Sequence, residues 1–301
     1  MGYSPRYHAA SMAAVFFALA IGILIGSQIG GDILDDTRRD LEASLTSDLD
    51  DSRAQVEDLE RELGRANEFG DSVYPALTAL QLRDQRVGLI GFGSLPAGIT
   101  DAVEQALDPT TADLVAVGVI RQPPQTGDIA DSLTGTAFAQ MDRRPALLTP
   151  YGRTVGRQLV TGGEILRRSR AALMSESSGQ FGDLDGLIFY RGDLEELSPE
   201  ELAPSERLDD AIIEGADSTR ARLVGVEEVS TDPSSIAWYS DRGLSSVDDI
   251  DLPAGRVSLV YVLAGATGSF GVKQGSDRLL PDLLRPAPGP ASAAGTAGRQ
   301  G

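Results

Sequence analysis

Val87-Gly88-Leu89-Ile90-Gly91-Phe92 is a short, wholly apolar run, with Arg83-Asp84-Gln85-Arg86 before it and Gly93-Ser94-Leu95-Pro96 after it. Such a run has no polar alternation, so it reads as a strand covered on both faces, the environment of a parallel sheet between helix layers. Working outward, Gly98–Leu107 reads as a helix and the Val-rich Asp113–Ile120 as a second strand. Pro123-Pro124 opens an irregular crossing, and Tyr151–Met174 reads as a helix carrying Arg153, Arg157, Arg167, Arg168 and Arg170. Gly186–Tyr190 is a third strand, Leu208–Ala216 a helix and Leu223–Val229 a fourth strand. Alternating strands and helices predict an α/β fold: a largely parallel-sheet, Rossmann-like three-layer domain over residues 84–284. Residues 285–301 are rich in Pro, Ala and Gly with no apolar pattern, and are expected to be a disordered tail.

The N-terminal segment has a different character. Ala9 to Ile29 holds no charged residue, the length of a single transmembrane helix. A cleaved signal is the alternative, but the only Ala-x-Ala triplet, Ala18-Leu19-Ala20, lies inside the run. The expectation is a signal anchor over 9–29 in the plasma membrane, single-pass, with residues 1–8 cytoplasmic and the C-terminal domain extracytoplasmic. The free amine and Arg6 precede the run, Asp32, Asp35 and Asp36 follow it, and Arg38 and Arg39 stand further on; the positive-inside rule, which weighs Lys and Arg only, and the short N-terminus give that orientation. Gly22, Gly26 and Gly30 make two GxxxG steps on one helix face, a transmembrane contact, although Gly is common in membrane helices generally.

Residues 32–71 carry 14 acidic and 5 basic side chains. Leu45, Leu49, Ser52, Val56, Leu59, Leu63 and Ala66 alternate steps of four and three, the seam spacing of a coiled coil. Leu34 and Leu41 sit one residue out of this register, as a stutter would leave them. This predicts a coiled-coil stalk whose seam is Leu45, Leu49, Val56, Leu59 and Leu63. A stripe limited to these positions is narrower than a helix lying on its own domain requires. The stalk would self-associate or join a partner membrane protein, and its acidic excess favours a more basic partner helix.

The chain has 301 residues, net charge −19, no Cys, one His and one Lys. Nucleic acid as a partner is excluded by that charge. Thiol, disulfide and iron–sulfur chemistry lack their residue. A Ser–His–Asp triad cannot form in a domain that lacks His, because His8 lies before the apolar run. Gly91-Phe92-Gly93 follows a strand as a dinucleotide loop would, but the third glycine position is Pro96. Asp248, Asp249 and Asp251 are plentiful carboxylates without the EF-hand spacing, and read as a polar turn before Pro253. The expectation is therefore no enzyme and no cofactor.

Two stretches resemble a known family. Tyr7–Ser27 resembles the N-terminal anchor of the MctB-like family of actinobacterial envelope proteins. Ser246-Val247-Asp248-Asp249-Ile250-Asp251-Leu252-Pro253-Ala254-Gly255, then Gly268-Ser269-Phe270-Gly271-Val272-Lys273 and Leu280-Pro281, resemble its C-terminal signature. Order and spacing agree through residue 284, while 94–240 shows no close match. The resemblance implies copper transport, with a mycobacterial member described as an outer-membrane protein. It also implies, for similar proteins elsewhere, pairing with another membrane protein in division-site cell-wall control. Copper needs Cys, Met or His. The chain's four methionines, Met1, Met12, Met141 and Met174, form no Met-x-Met cluster. The reading is a non-enzymatic scaffold or regulator acting through the coiled coil. The alternatives are copper transport across the envelope and small-ligand binding at the strand ends.

Overall fold

The computed structural model describes residues 5–79, 81–193 and 197–282, with the side-chain surroundings of 5–9 and 27–40 outside that description. The expected tail 285–301 lies outside the described residues, as do residues 1–4 of the expected cytoplasmic segment. The chain forms two compact units, Met1–Ala66 and Asn67–Gly301.

The first unit is helical throughout its described length and belongs to α1 (Pro5–Thr78). The expected transmembrane helix is corrected here. Among the described residues no helix is long and apolar enough to cross a membrane. Nothing stands within 4 Å of a Cβ built on Gly22 or Gly26, and Gly30 lies where side-chain surroundings are outside the description.

The second unit opens with the last turns of α1. It continues β1 (Arg86–Phe92), α2 (Ala97–Leu107), β2 (Asp113–Ile120), α3 (Thr126–Ser132), α4 (Leu148–Thr161), α5 (Glu164–Leu173), β3 (Met174–Gly179), β4 (Gly186–Arg191), α6 (Pro199–Asp217), β5 (Arg222–Val226), α7 (Ile236–Asp241), β6 (Ser245–Val247), α8 (Pro253–Leu263) and β7 (Ser269–Phe270). The seven strands form one mixed sheet in the order β3-β2-β1-β4-β5-β6-β7. Every neighbouring pair is parallel except β2 with the edge strand β3.

Strand β1 shows why the apolar run decides the fold. Val87 and Leu89 enter one core with Ile99, Val103, Val260 and Leu263 from α2 and α8. Ile90 and Phe92 enter the other, with Leu148, Tyr151, Leu208 and Ile212 from α4 and α6. Successive side chains of a strand point to opposite faces, so a strand between two helix layers must be apolar throughout. Gly156 of α4 allows that helix to lie against α6: a Cβ there would stand 1.9 Å from the Ile212 carbonyl oxygen.

The helix expected over 151–174 is two helices. Gly162 breaks it with φ of +72°, and α5 restarts from Gly163. The end of α1 belongs to this unit's α2–α8 layer. Tyr74 donates its hydroxyl to the Ala106 carbonyl, Arg256 donates to Asp71, and the Tyr261 hydroxyl donates to the Leu77 carbonyl at 3.2 Å.

Candidate functional site

The C-terminal signature residues converge at the carboxyl ends of β6 and β7. Asp248 follows β6 and is fully buried. Its carboxylate accepts the backbone N–H of Val272 at 2.8 Å and of Lys273 at 3.0 Å, and the hydroxyl of Ser276. Gly271 makes this clamp possible. Its φ is +136°, and a Cβ would stand 1.9 Å from Asp248 Oδ1. Gly268 also has positive φ, +131°, and turns the chain into β7, where Phe270 is buried. Pro253 starts α8, where a missing N–H costs nothing. Gly255 lets that first turn approach the Asp249 carbonyl, 1.9 Å from where a Cβ would stand. Asp251 accepts the Val229 N–H at 3.0 Å, Val247 is buried on β6, and Pro281 is buried after β7. These residues tie three loops together, and their hydrogen bonds are used internally.

Lys273 extends the clamp. Its ammonium, 13% exposed, donates to Glu227 Oε1 at 2.9 Å, the Glu228 carbonyl at 2.7 Å and the Thr231 carbonyl at 2.7 Å. Glu227, 2% exposed, also accepts from the Ser234 hydroxyl and the Ser235 N–H, each at 2.6 Å. The three donors of an ammonium are thereby matched, as a buried charge requires. Glu227 has no distinguishing motif. The only signal toward it is the chain's single lysine.

Asp249 contrasts with its neighbour. It is fully buried, and neither carboxylate oxygen has a hydrogen-bond partner among the described residues. Burial pushes its pKa up to about 7, with the negative charges of Asp248 and Asp251 adding to the rise. Asp209 on α6 is a second such group. Burial holds it well above the usual carboxylate range against the opposing hydrogen bond from Gln122 Nε2 at 2.6 Å. Arg191 and Arg242 lie nearby, 4.9 and 3.8 Å from the Trp238 ring centroid.

These groups sit at the carboxyl edge of the sheet, beyond β4, β5, β6 and β7. A crevice of about 480 Å³ opens there, lined among others by Tyr190, Arg191, Gly192, Asp193, Thr231 and Ser235.

The expected seam lies on the first unit. Leu45, Leu49, Val56, Leu59 and Leu63 are 53–65% exposed. The profile of the MctB family, described as copper transport outer membrane protein, matches residues 3–176, more than half of the chain. The chain belongs to the MctB family. That description makes it a copper-transport-related envelope protein. No curated protein matches it. The MctB match ends at β3, so the clamp at Asp248–Lys273 lies beyond the matched segment. Copper as cargo would need soft donors. Met141 and Met174 are both packed in the core with Phe92 and Tyr151, where their thioethers serve the interior. Among the described residues no three His, Cys, Asp or Glu side chains group as metal ligands.

Proposed function

We propose that this MctB-family chain is a non-enzymatic scaffold or regulator of the cell envelope, acting through the apolar stripe of α1 on a basic amphipathic helix of a partner protein. The observation that carries this reading is the row of five exposed aliphatic side chains at seam spacing. Exposed leucines repeating every three and four residues are left open at a cost that a facing helix removes. The 14-to-5 excess of acid over base in 32–71 opposes a second, equally acidic copy and complements a basic surface. Control of a partner then links the chain to copper indirectly. Direct copper transport is the second reading, supported by the family description alone.

The absence of native cysteine makes the test clean. Single cysteines replacing Val56, Leu59 or Leu63 are alkylated with a maleimide–benzophenone and photo-cross-linked in intact cells, the excited ketone inserting into any C–H bond of the facing chain. One defined partner is expected from these three positions and not from Arg61→Cys on the outer face. An adduct of twice the chain's mass replaces the partner helix by a second copy. No adduct from any seam position refutes the scaffold reading.

A further inference from the structure

We propose that a cleft at the amino edge of the sheet binds a phosphoryl oxyanion carried on a larger organic molecule. The cleft holds about 550 Å³ and is lined by Arg86, Arg167 and Arg170 together with Leu166, Phe181 and the single acid Asp183. Arg86 begins β1, Arg167 and Arg170 lie on α5, and Asp183 precedes β4. This is the opposite edge from the crevice described above.

The charge is the first argument. The chain carries −19, yet three guanidinium groups meet here, and among the described residues none has a carboxylate oxygen within 4.0 Å. Arg86 donates Nε to the Asp183 carbonyl at 3.1 Å, and its other side-chain donors meet no partner among the described residues. Arg170 is placed by the Ser177 hydroxyl at 2.9 Å, the Gly179 carbonyl at 3.1 Å and the face of Phe181, 5.7 Å from its centroid. Among the described residues the Arg167 side chain has no hydrogen-bond partner. Planar guanidinium forks match phosphate oxygens two at a time.

The backbone is the second argument. Gly162, Gly179 and Gly182 line the rim with φ of +72°, +66° and +124°. No side chain at these positions stands between solvent and the arginines. α5 starts at the rim with Gly163 as its N-cap, but the Leu166 N–H is already taken by Gln158 Oε1 at 2.9 Å and Glu164 lies in the first turn, so the three guanidinium groups alone carry the charge of the site. The volume exceeds that of a bare phosphate, and Phe181 with Leu166 offers an apolar wall to whatever carries it. A lipid headgroup and a soluble phosphate ester share this chemistry.

Titration calorimetry of the full chain with inorganic pyrophosphate, at low ionic strength, is expected to show saturable binding. Arg167→Gln and Arg86→Gln should each weaken it at least tenfold with unchanged melting. Arg153→Gln should leave it unaltered, because that guanidinium pairs with Glu214 at 2.7 Å outside the cleft. Two further probes separate the sources. Binding of glycerol 3-phosphate points to a soluble ester. Sedimentation with phosphatidylcholine vesicles only when they contain phosphatidylglycerol, lost in Arg167→Gln, points to a lipid headgroup. No saturable binding of any probe, or binding indifferent to the Arg86/Arg167 double substitution, overturns the proposal.

Discussion

Replacing Leu59 and Leu63 by Asp tests the seam directly. Both side chains are open in the chain by itself, at 65% and 57%. Full burial of a leucine contributes about 1.5–3 kcal/mol, so covering the exposed share contributes about 1–2 kcal/mol at each position. Losing both removes roughly 2–4 kcal/mol of association, or roughly 30- to 800-fold in affinity, before any added charge repulsion. The assay is a titration of the tagged full chain against envelope extract, reading the cross-linked partner retained. Sedimentation velocity of the purified chain runs beside it to read self-association. Ala54→Asp with Arg61→Asp, on the outer face, supplies a control with a comparable loss of helix propensity. The second unit should melt unchanged, because its core residues lie at Tyr74 and beyond. Equal partner retention by seam and control variants refutes the reasoning. So does a lowered melting point with association unaltered.

Three further outcomes follow from the clamp and its neighbourhood. Burial raises the folded Asp249 pKa to about 7 from the ordinary 3.8 of an aspartate, so the folded state holds its proton more tightly. Its contribution favours folding at low pH and is lost as pH rises through about 4 to 7, and Asp249→Asn should flatten that part of the stability profile in urea titrations from pH 5 to 8. A wild-type profile that rises with pH, unaltered by the substitution, contradicts this. Gly271→Ala drives a Cβ into the Asp248 carboxylate and should lower the melting point by many degrees, whereas Gly127→Ala on α3, with nothing within 4 Å, should be neutral or mildly stabilising. Lys273→Met leaves Glu227 as a buried, uncompensated charge, a loss of about 3–5 kcal/mol by chemical denaturation, and adding Glu227→Gln should recover a large part of it.

What was readable depended on whether structure is dictated locally. Strands β1 and β2 stand where their apolar runs place them, because burial on both faces writes itself into consecutive residues. The apolar positions of 151–174 keep helical spacing through Gly162-Gly163, and it is the positive φ of Gly162 that divides the segment into two helices. Strand β3, Met174-Ser-Glu-Ser-Ser-Gly179, carries almost no apolar signal, since only Met174 of the six is buried. Helix α8 hid in a run, Val257–Leu263, too short to tell strand from helix, with Pro253 as its one marker. The signature was visible as a motif, but its work was not. Asp248 meets its partners 24 to 28 residues away, and Lys273 meets Glu227 across 46. The run Ala9–Ile29 has both the length and the lack of charge of a transmembrane helix, yet among the described residues no helix is long and apolar enough to cross a membrane.

The borders of the sheet limit how copies of this protein can meet. On one side β3 offers Glu176 and three serines in place of apolar side chains, and Gly179 ends it with a left-handed turn. On the other, β7 is two residues long. Neither border is a template on which a further strand could grow, since charge, brevity and a terminal twist each discourage edge-to-edge pairing. The domain can therefore be concentrated at an envelope surface without polymerising through its sheet, and recruitment into an assembly is left to groups that leave the strands undisturbed.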